Sequence, residues 1–253
     1  MSERRARVEA FRRRCHGAIL AADVADLAQL GRLTEAVGSV DGVFGVKLGA
    51  SLVIGYGLPE ATRVVRRFAS GSLVVYDHQK AGSDIPATGE LFAKACAAAD
   101  VDAAILFSHG GPATVEAYVA ALRSCDLVAI VGVAMTHPRY LKSEGGYFDD
   151  ESVVPAYLAA ARAGARDFVV PATRVELTRS IVAATSREVG RCTFYLPGIG
   201  TQGGEVRAAL GSVSSQAAFA IVGSSIYKAA NPEVAASEVT RMIREACKEL
   251  PHA

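Results

Sequence analysis

The chain has 253 residues, 51% of them hydrophobic and 21% charged, enough to bury the core of one α/β barrel or of two smaller domains. A formal net charge of +1 offers no broad electrostatic footprint for nucleic acid or an anionic membrane surface, so an anionic ligand has to be held locally. The five cysteines (Cys15, Cys96, Cys125, Cys192, Cys247) include no C-x-x-C pair, which argues against a disulfide framework or a zinc site and for reduced, mostly buried thiols.

Residues 1–14 are polar and basic with no apolar h-region, and read as an N-terminal extension rather than a signal peptide. No apolar run reaches the ~18 residues of a membrane span. A cytoplasmic protein with no membrane or nucleic-acid partner is expected. From residue 15 to residue 253, short apolar runs recur: Ala18–Ala21, Val43–Leu48, Leu73–Tyr76, Ala103–Phe107, Leu127–Val133, Phe168–Val170, Thr193–Leu196 and Ala218–Val222. Segments with helical spacing lie between them, such as Leu27, Leu30, Leu33 and Val37, or Val175, Leu177, Ile181 and Val182. The alternation implies a parallel sheet covered by helices. A doubly wound open sheet alternates in the same way, but no G-x-G-x-x-G follows Leu20. Eight units in about 230 residues fit a single-domain (β/α)8 TIM barrel. The longest connection, Thr136 to about Ser152, would sit above the catalytic face as a candidate lid.

Barrel enzymes draw catalytic residues from the C-terminal ends of strands. After the apolar runs stand Asp23, Lys47, Asp77 with Lys80, His109, Thr136, Arg174, Gln202 and Ser224. Carboxylates and ammonium groups alternate here without a metal-binding cluster, which points to placed charge rather than metal chemistry. Asp77, Lys80 and Asp84 are close enough for their carboxylates to repel unless lysines separate them, and Lys47 ends the neighbouring run.

The segments ILAADVAD (Ile19–Asp26), GVKLG (Gly45–Gly49), YDHQKAGSDIPATG (Tyr76–Gly89), MTHP (Met135–Pro138), YLPGIGTQGG (Tyr195–Gly204) and IVGSSIYKAANP (Ile221–Pro232) occur in the order of similar segments in orotidine 5′-monophosphate decarboxylases. The chain resembles that family from about Ala18 to its last helix. The resemblance implies a cofactor-independent decarboxylation of orotidine 5′-monophosphate to uridine 5′-monophosphate. It casts Lys47, Asp77, Lys80 and Asp84 as the catalytic array, Asp84 reaching into the partner subunit of a homodimer. Lys80 would stabilise and protonate the carbanion left at C6. Asp23 and Thr88 resemble ribose ligands, Thr136 the residue meeting the pyrimidine edge, and Gln202 the residue bridging base and phosphate. Gly203, Gly204, Gly223 and Ser224 would cradle the phosphate on backbone amides, with Tyr227 nearby.

Two features depart from the family pattern. Its Asp-x-Lys-x-x-Asp spacing gains one residue in each interval here, which in a regular strand would turn the second charge to the other face; an early strand end, with freedom at Gly82-Ser83, would restore convergence. The arginine usual after the strand-eight glycine is Ser224 here, leaving Arg139, Lys142, Arg174 or Lys228 as candidate substitutes. One alternative is therefore a decarboxylase of another nucleotide, a nucleoside or a sugar acid phosphate. Another is a catalytically silent nucleotide-binding barrel. Plainer readings make Lys47 and Lys80 partners in inter-strand salt bridges, His109 a backbone contact, Arg174 a helix-start residue capped by Thr173, and Arg63, Arg66 and Arg67 a solvated helix face. His78 reads as either a ligand or a solvent-facing residue.

Overall fold

The computed structural model describes residues 2–79, 82–199, 203–213 and 216–249. The chain begins with α1 (Glu3–Arg12), β1 (His16–Ala21), α2 (Leu27–Val37), β2 (Val43–Gly49), α3 (Ala50–Tyr56), α4 (Leu58–Phe68) and β3 (Leu73–Asp77). It continues with α5 (Gly89–Ala98), β4 (Ala103–Phe107), α6 (Pro112–Ser124), β5 (Val128–Gly132), α7 (Val153–Arg162) and β6 (Asp167–Val169). Then follow α8 (Val175–Val189), β7 (Thr193–Pro197), α9 (Gly203–Gly211), β8 (Ala217–Val222), α10 (Ser224–Tyr227) and α11 (Pro232–Lys248). The eight strands pair in parallel in chain order, and β8 returns to β1, closing the barrel. Every apolar run in the sequence lies within two residues of a strand at each end.

Strand side chains alternate between the barrel axis and the helix layer. Ile19, Val75, Ile105, Ile130 and Phe219 meet inside the barrel, while Leu20, Val74, Leu106, Ala129 and Ala220 pack outward against the helices. Both faces being buried, the strands read as continuous apolar runs rather than alternating ones. Each large apolar side chain so enclosed contributes about 1.5–3 kcal/mol. Strand β2 departs from this filling. At inward Gly45 a Cβ would lie 2.9 Å from the Leu73 carbonyl oxygen, and Lys47 follows on the same face.

Within the polar N-terminal extension expected at residues 1–14, Glu3–Arg12 is a helix packed against the barrel floor. Ser2 caps it by accepting from the Arg5 amide. Phe11 enters the N-terminal mouth of the barrel, its ring centroid 4.3 Å from that of Phe219 and 6.4 Å from that of Tyr195. Arg4 donates to the Val101 and Ala97 carbonyls, Arg7 to Asp100 and Asp102, and Arg12 to Asp167. Asp102 is fully buried and also accepts from Arg66 and the Val74 amide, so its charge is shared over several donors. Arg66 is therefore a half-buried clamp and not part of a solvated face. The cysteines also differ from expectation: Cys96 and Cys192 are buried, Cys125 and Cys247 are partly so, and Cys15 is exposed.

The long connection after β5 is folded rather than slack. It contains 3-10 turns at Lys142–Glu144 and Asp150–Ser152 and a bridge between Leu141 and Phe148. No helix among the described residues is long and apolar enough to cross a membrane.

Candidate active site

A cavity of about 260 Å³ opens at the C-terminal ends of the strands. Asp23, Lys47, Asp77 and Gln79 form its polar side, while Phe107, Met135 and Ile221 contribute apolar wall. Lys47 Nζ donates to Asp77 Oδ2 at 2.9 Å and to Asp23 Oδ1 at 3.5 Å. Burial by itself would lower the Lys47 pKa, but Asp77 and Asp23 outweigh it and hold the ammonium above the usual lysine value. The second Asp77 oxygen, Oδ1, is buried and has no hydrogen-bond partner among the described residues. A buried carboxylate oxygen without a donor is costly, so this corner of the cavity has a place for one more donor.

Strand β3 ends at Asp77, so strict alternation does not extend to the residues beyond it. His78 follows Tyr76 on the outer side: its Nδ1 lies 2.7 Å from the Tyr76 hydroxyl, and its ring packs near Phe92. Gly82 has φ +85°, and a Cβ there would lie 2.3 Å from the Phe107 carbonyl oxygen, so glycine is required for the chain to pass. Lys80 and Gln202 lie outside the described residues.

The remaining expected site residues divide into two groups. Thr136 and Gly223 line the cavity together with Asp23, Lys47 and Asp77. Asp84 does not line it; its side chain is exposed and accepts from the Ile85 amide. Thr88 is also outside, where its hydroxyl donates to the Ile85 carbonyl and lies 2.7 Å from the Tyr118 hydroxyl. Ser224 is exposed at the start of α10, and a Cβ at Gly223 would sit 3.5 Å from the Tyr227 ring. Gly203 opens α9.

Arg174 is not capped by Thr173. It is itself the N-cap residue of α8, and the Thr173 hydroxyl donates to the Thr136 carbonyl at 3.5 Å instead. The Arg174 guanidinium forks onto both carboxylate oxygens of Glu144 and donates to the Met135 carbonyl at 3.0 Å and the His137 carbonyl at 3.1 Å. The hydrogen bonds from Arg174 hold the Glu144 carboxyl well below the usual carboxylate range. His109 Nε2 lies 3.0 Å from the Tyr140 hydroxyl and 3.4 Å from the Val133 carbonyl, a backbone contact as its plainer reading has it. Burial lowers its pKa, so the ring is neutral near pH 7.

Residues 18–239 match the model of the orotidine 5′-phosphate decarboxylase / HUMPS family. The chain belongs to this family. An orotidine 5′-phosphate decarboxylase of Methanosarcina mazei is 31% identical over 227 residues, covering 89% of this chain and 94% of that protein. The orotidine 5′-phosphate decarboxylase of Pyrococcus abyssi is 32% identical, over 89% of this chain and 98% of its own length. A crystal structure of orotidine 5′-monophosphate decarboxylase from Methanocaldococcus jannaschii, complexed with the inhibitor BMP, superposes with a TM-score of 0.77 at 25% identity, covering 90% of this chain and 99% of that one. A 3-hexulose-6-phosphate synthase structure shares the fold, with a TM-score of 0.65 at 19% identity over 90% of this chain and 99% of that one.

For this family member, reading the sequence missed Gln79 as a cavity residue and Glu144 as the partner of Arg174. Gln79 lies in the lengthened interval between Asp77 and Lys80, and that irregular spacing was its only signal. Glu144 had none, since its partner is 30 residues away.

Proposed function

We propose that the protein decarboxylates orotidine 5′-monophosphate to uridine 5′-monophosphate in de novo pyrimidine biosynthesis, as a cytoplasmic homodimer without a cofactor. The observation that carries this reading is the Lys47–Asp77 pair at the polar side of the cavity, with Asp77 Oδ1 lacking a hydrogen-bond partner among the described residues. When the bond from C6 to the carboxylate breaks, its electron pair stays on C6 as a vinylic carbanion, and carbon dioxide leaves. The Lys80 ammonium offsets that charge and then donates its proton to C6. Asp77 stands beside the substrate carboxylate, where like charge raises the ground state. Lys47 holds Asp77 in place.

Asp84 completes the array from the partner subunit. Its exposure supports this, as do the exposed apolar side chains of the adjacent Ile85, 60% exposed, and of Leu91 on α5, 73% exposed, which a second copy would cover. Asp23 takes a ribose hydroxyl from within the cavity. Thr88, outside its own chain's cavity and four residues after Asp84, reaches the ribose from the partner subunit with Asp84. Thr136 takes the pyrimidine edge, and Gln202 the link between base and phosphate. The amides at Gly203, Gly223 and Ser224 hold the phosphate beside Tyr227.

A second reading keeps the chemistry and drops the 5′-phosphate from the substrate. Ser224 favours it, as does Arg174, whose guanidinium is engaged by Glu144. The test is the loss of orotate absorbance on incubating purified protein with orotidine 5′-monophosphate and, separately, with orotidine. Turnover of the nucleotide supports the first reading, and turnover of orotidine alone supports the second. No turnover of either refutes both.

A further inference from the structure

Arg174 lies outside the cavity, yet its hydrogen bonds enclose a residue that lines it. Nε donates to the carbonyl before Thr136 and Nη2 to the carbonyl after it, at 3.0 and 3.1 Å. Peptide units are planar and trans, so the Met135 carbonyl and the Thr136 N–H point in opposite directions. Holding that carbonyl on the guanidinium turns the Thr136 N–H away from Arg174, and Met135 and Thr136 both line the cavity. That N–H has no acceptor among the described residues. The fork onto Glu144 stops Arg174 from turning elsewhere, and Glu144 is itself fixed by the Tyr140 and Leu141 amides.

We propose that Arg174 is a positioning residue: by gripping the peptides on either side of Thr136 it presents the Thr136 amide as a fixed donor that selects a ring carbonyl of the bound base. The proposal rests on the reading of the ligand as a pyrimidine nucleotide, and it removes Arg174 from the residues free to bind a phosphate. A flexible loop would offer the same amide at a conformational cost with each binding event, whereas a preorganised donor discriminates because an unmatched partner leaves it buried and unpaired.

The test compares the inhibition constants of uridine 5′-monophosphate and of its analogue with hydrogen in place of the 4-carbonyl, against the unaltered protein, Arg174→Met and Arg174→Lys. The unaltered protein is expected to prefer the carbonyl compound by about tenfold or more, the size of one buried hydrogen bond. Arg174→Met should bring that ratio close to one, and Arg174→Lys, which keeps a charge but loses the fork, should reduce it. Thermal unfolding verifies that each variant is folded, and if the methionine variant is not, the lysine variant decides. A variant that weakens both nucleotides equally, with the ratio preserved, overturns the proposal, because a merely structural role would act in that way. An unaltered protein that binds both nucleotides alike also overturns it while leaving decarboxylation intact. Failure to bind either one overturns the functional reading as well.

Discussion

Lys47 and Asp77 meet at 2.9 Å although the β2–β3 register sets Lys47 beside Val75 and Asp77 beside Gly49. The lysine reaches forward along the strand, carrying its charge from the buried wall to the rim where β3 ends. Lys47 is 8% exposed, so the pair is held in a setting of reduced dielectric where each charge depends on the other.

Removing one member should therefore cost more than removing both. Lys47→Met leaves the Asp77 carboxylate unpaired and is expected to destabilise the fold by about 3–5 kcal/mol in urea unfolding. The double variant Lys47→Met with Asp77→Leu should recover most of that loss while remaining inactive. Equal stability of the single variant and the unaltered protein would show that the contact carries little energy.

The same pair predicts an alkaline limit. The folded-state pKa of Lys47 is raised above 10.5, so its stabilising contribution is complete below 10.5 and is lost as pH rises through the folded value. Urea midpoints measured at increasing pH should fall above 10.5, and Lys47→Met should reduce that slope.

Contribution of Asp84 across a dimer interface predicts complementation. Lys47→Ala and Asp84→Ala homodimers should each be inactive, whereas mixed dimers contain one site in which both residues are intact. After random exchange of subunits, activity should rise to about one quarter of the unaltered value. Two inactive variants that stay inactive on mixing would place Asp84 outside the partner's site.

The helix under the barrel should matter for stability and not for turnover. Phe11→Ala removes an aromatic ring packed on Phe219 and Tyr195 and is expected to cost about 3–5 kcal/mol. The turnover number at a temperature where the variant is folded should be unchanged, since the site lies at the opposite end of the strands.

Ser224→Arg restores a guanidinium at the start of α10. Hydrogen bonds to a charged group contribute about 1.5–3 kcal/mol, so the KM for orotidine 5′-monophosphate should fall by about tenfold or more relative to that for orotidine. No change in that ratio would mean that the phosphate is held elsewhere.

The barrel was legible in the sequence because burial on both faces leaves a local mark: eight continuous apolar runs at regular intervals, whichever residues each strand later touches. Lys47 and Asp77 were legible for a related reason, as charges ending inward-facing runs are seldom buried without partners. The Glu144–Arg174 fork, the enclosure of Asp102 by Arg7 and Arg66, and the docking of Phe11 left no local mark, because each joins segments that lie far apart in the chain and meet only when the barrel closes. Residues 1–14 show the difference plainly: their composition reads as a solvated extension, and only the carboxylates gathered at the barrel floor convert their arginines into a clamp. Local patterning determined which elements form and which strand ends bear charge. Tertiary closure decided which of those charges face one another, since ion-pair geometry depends on distances that a linear sequence does not encode.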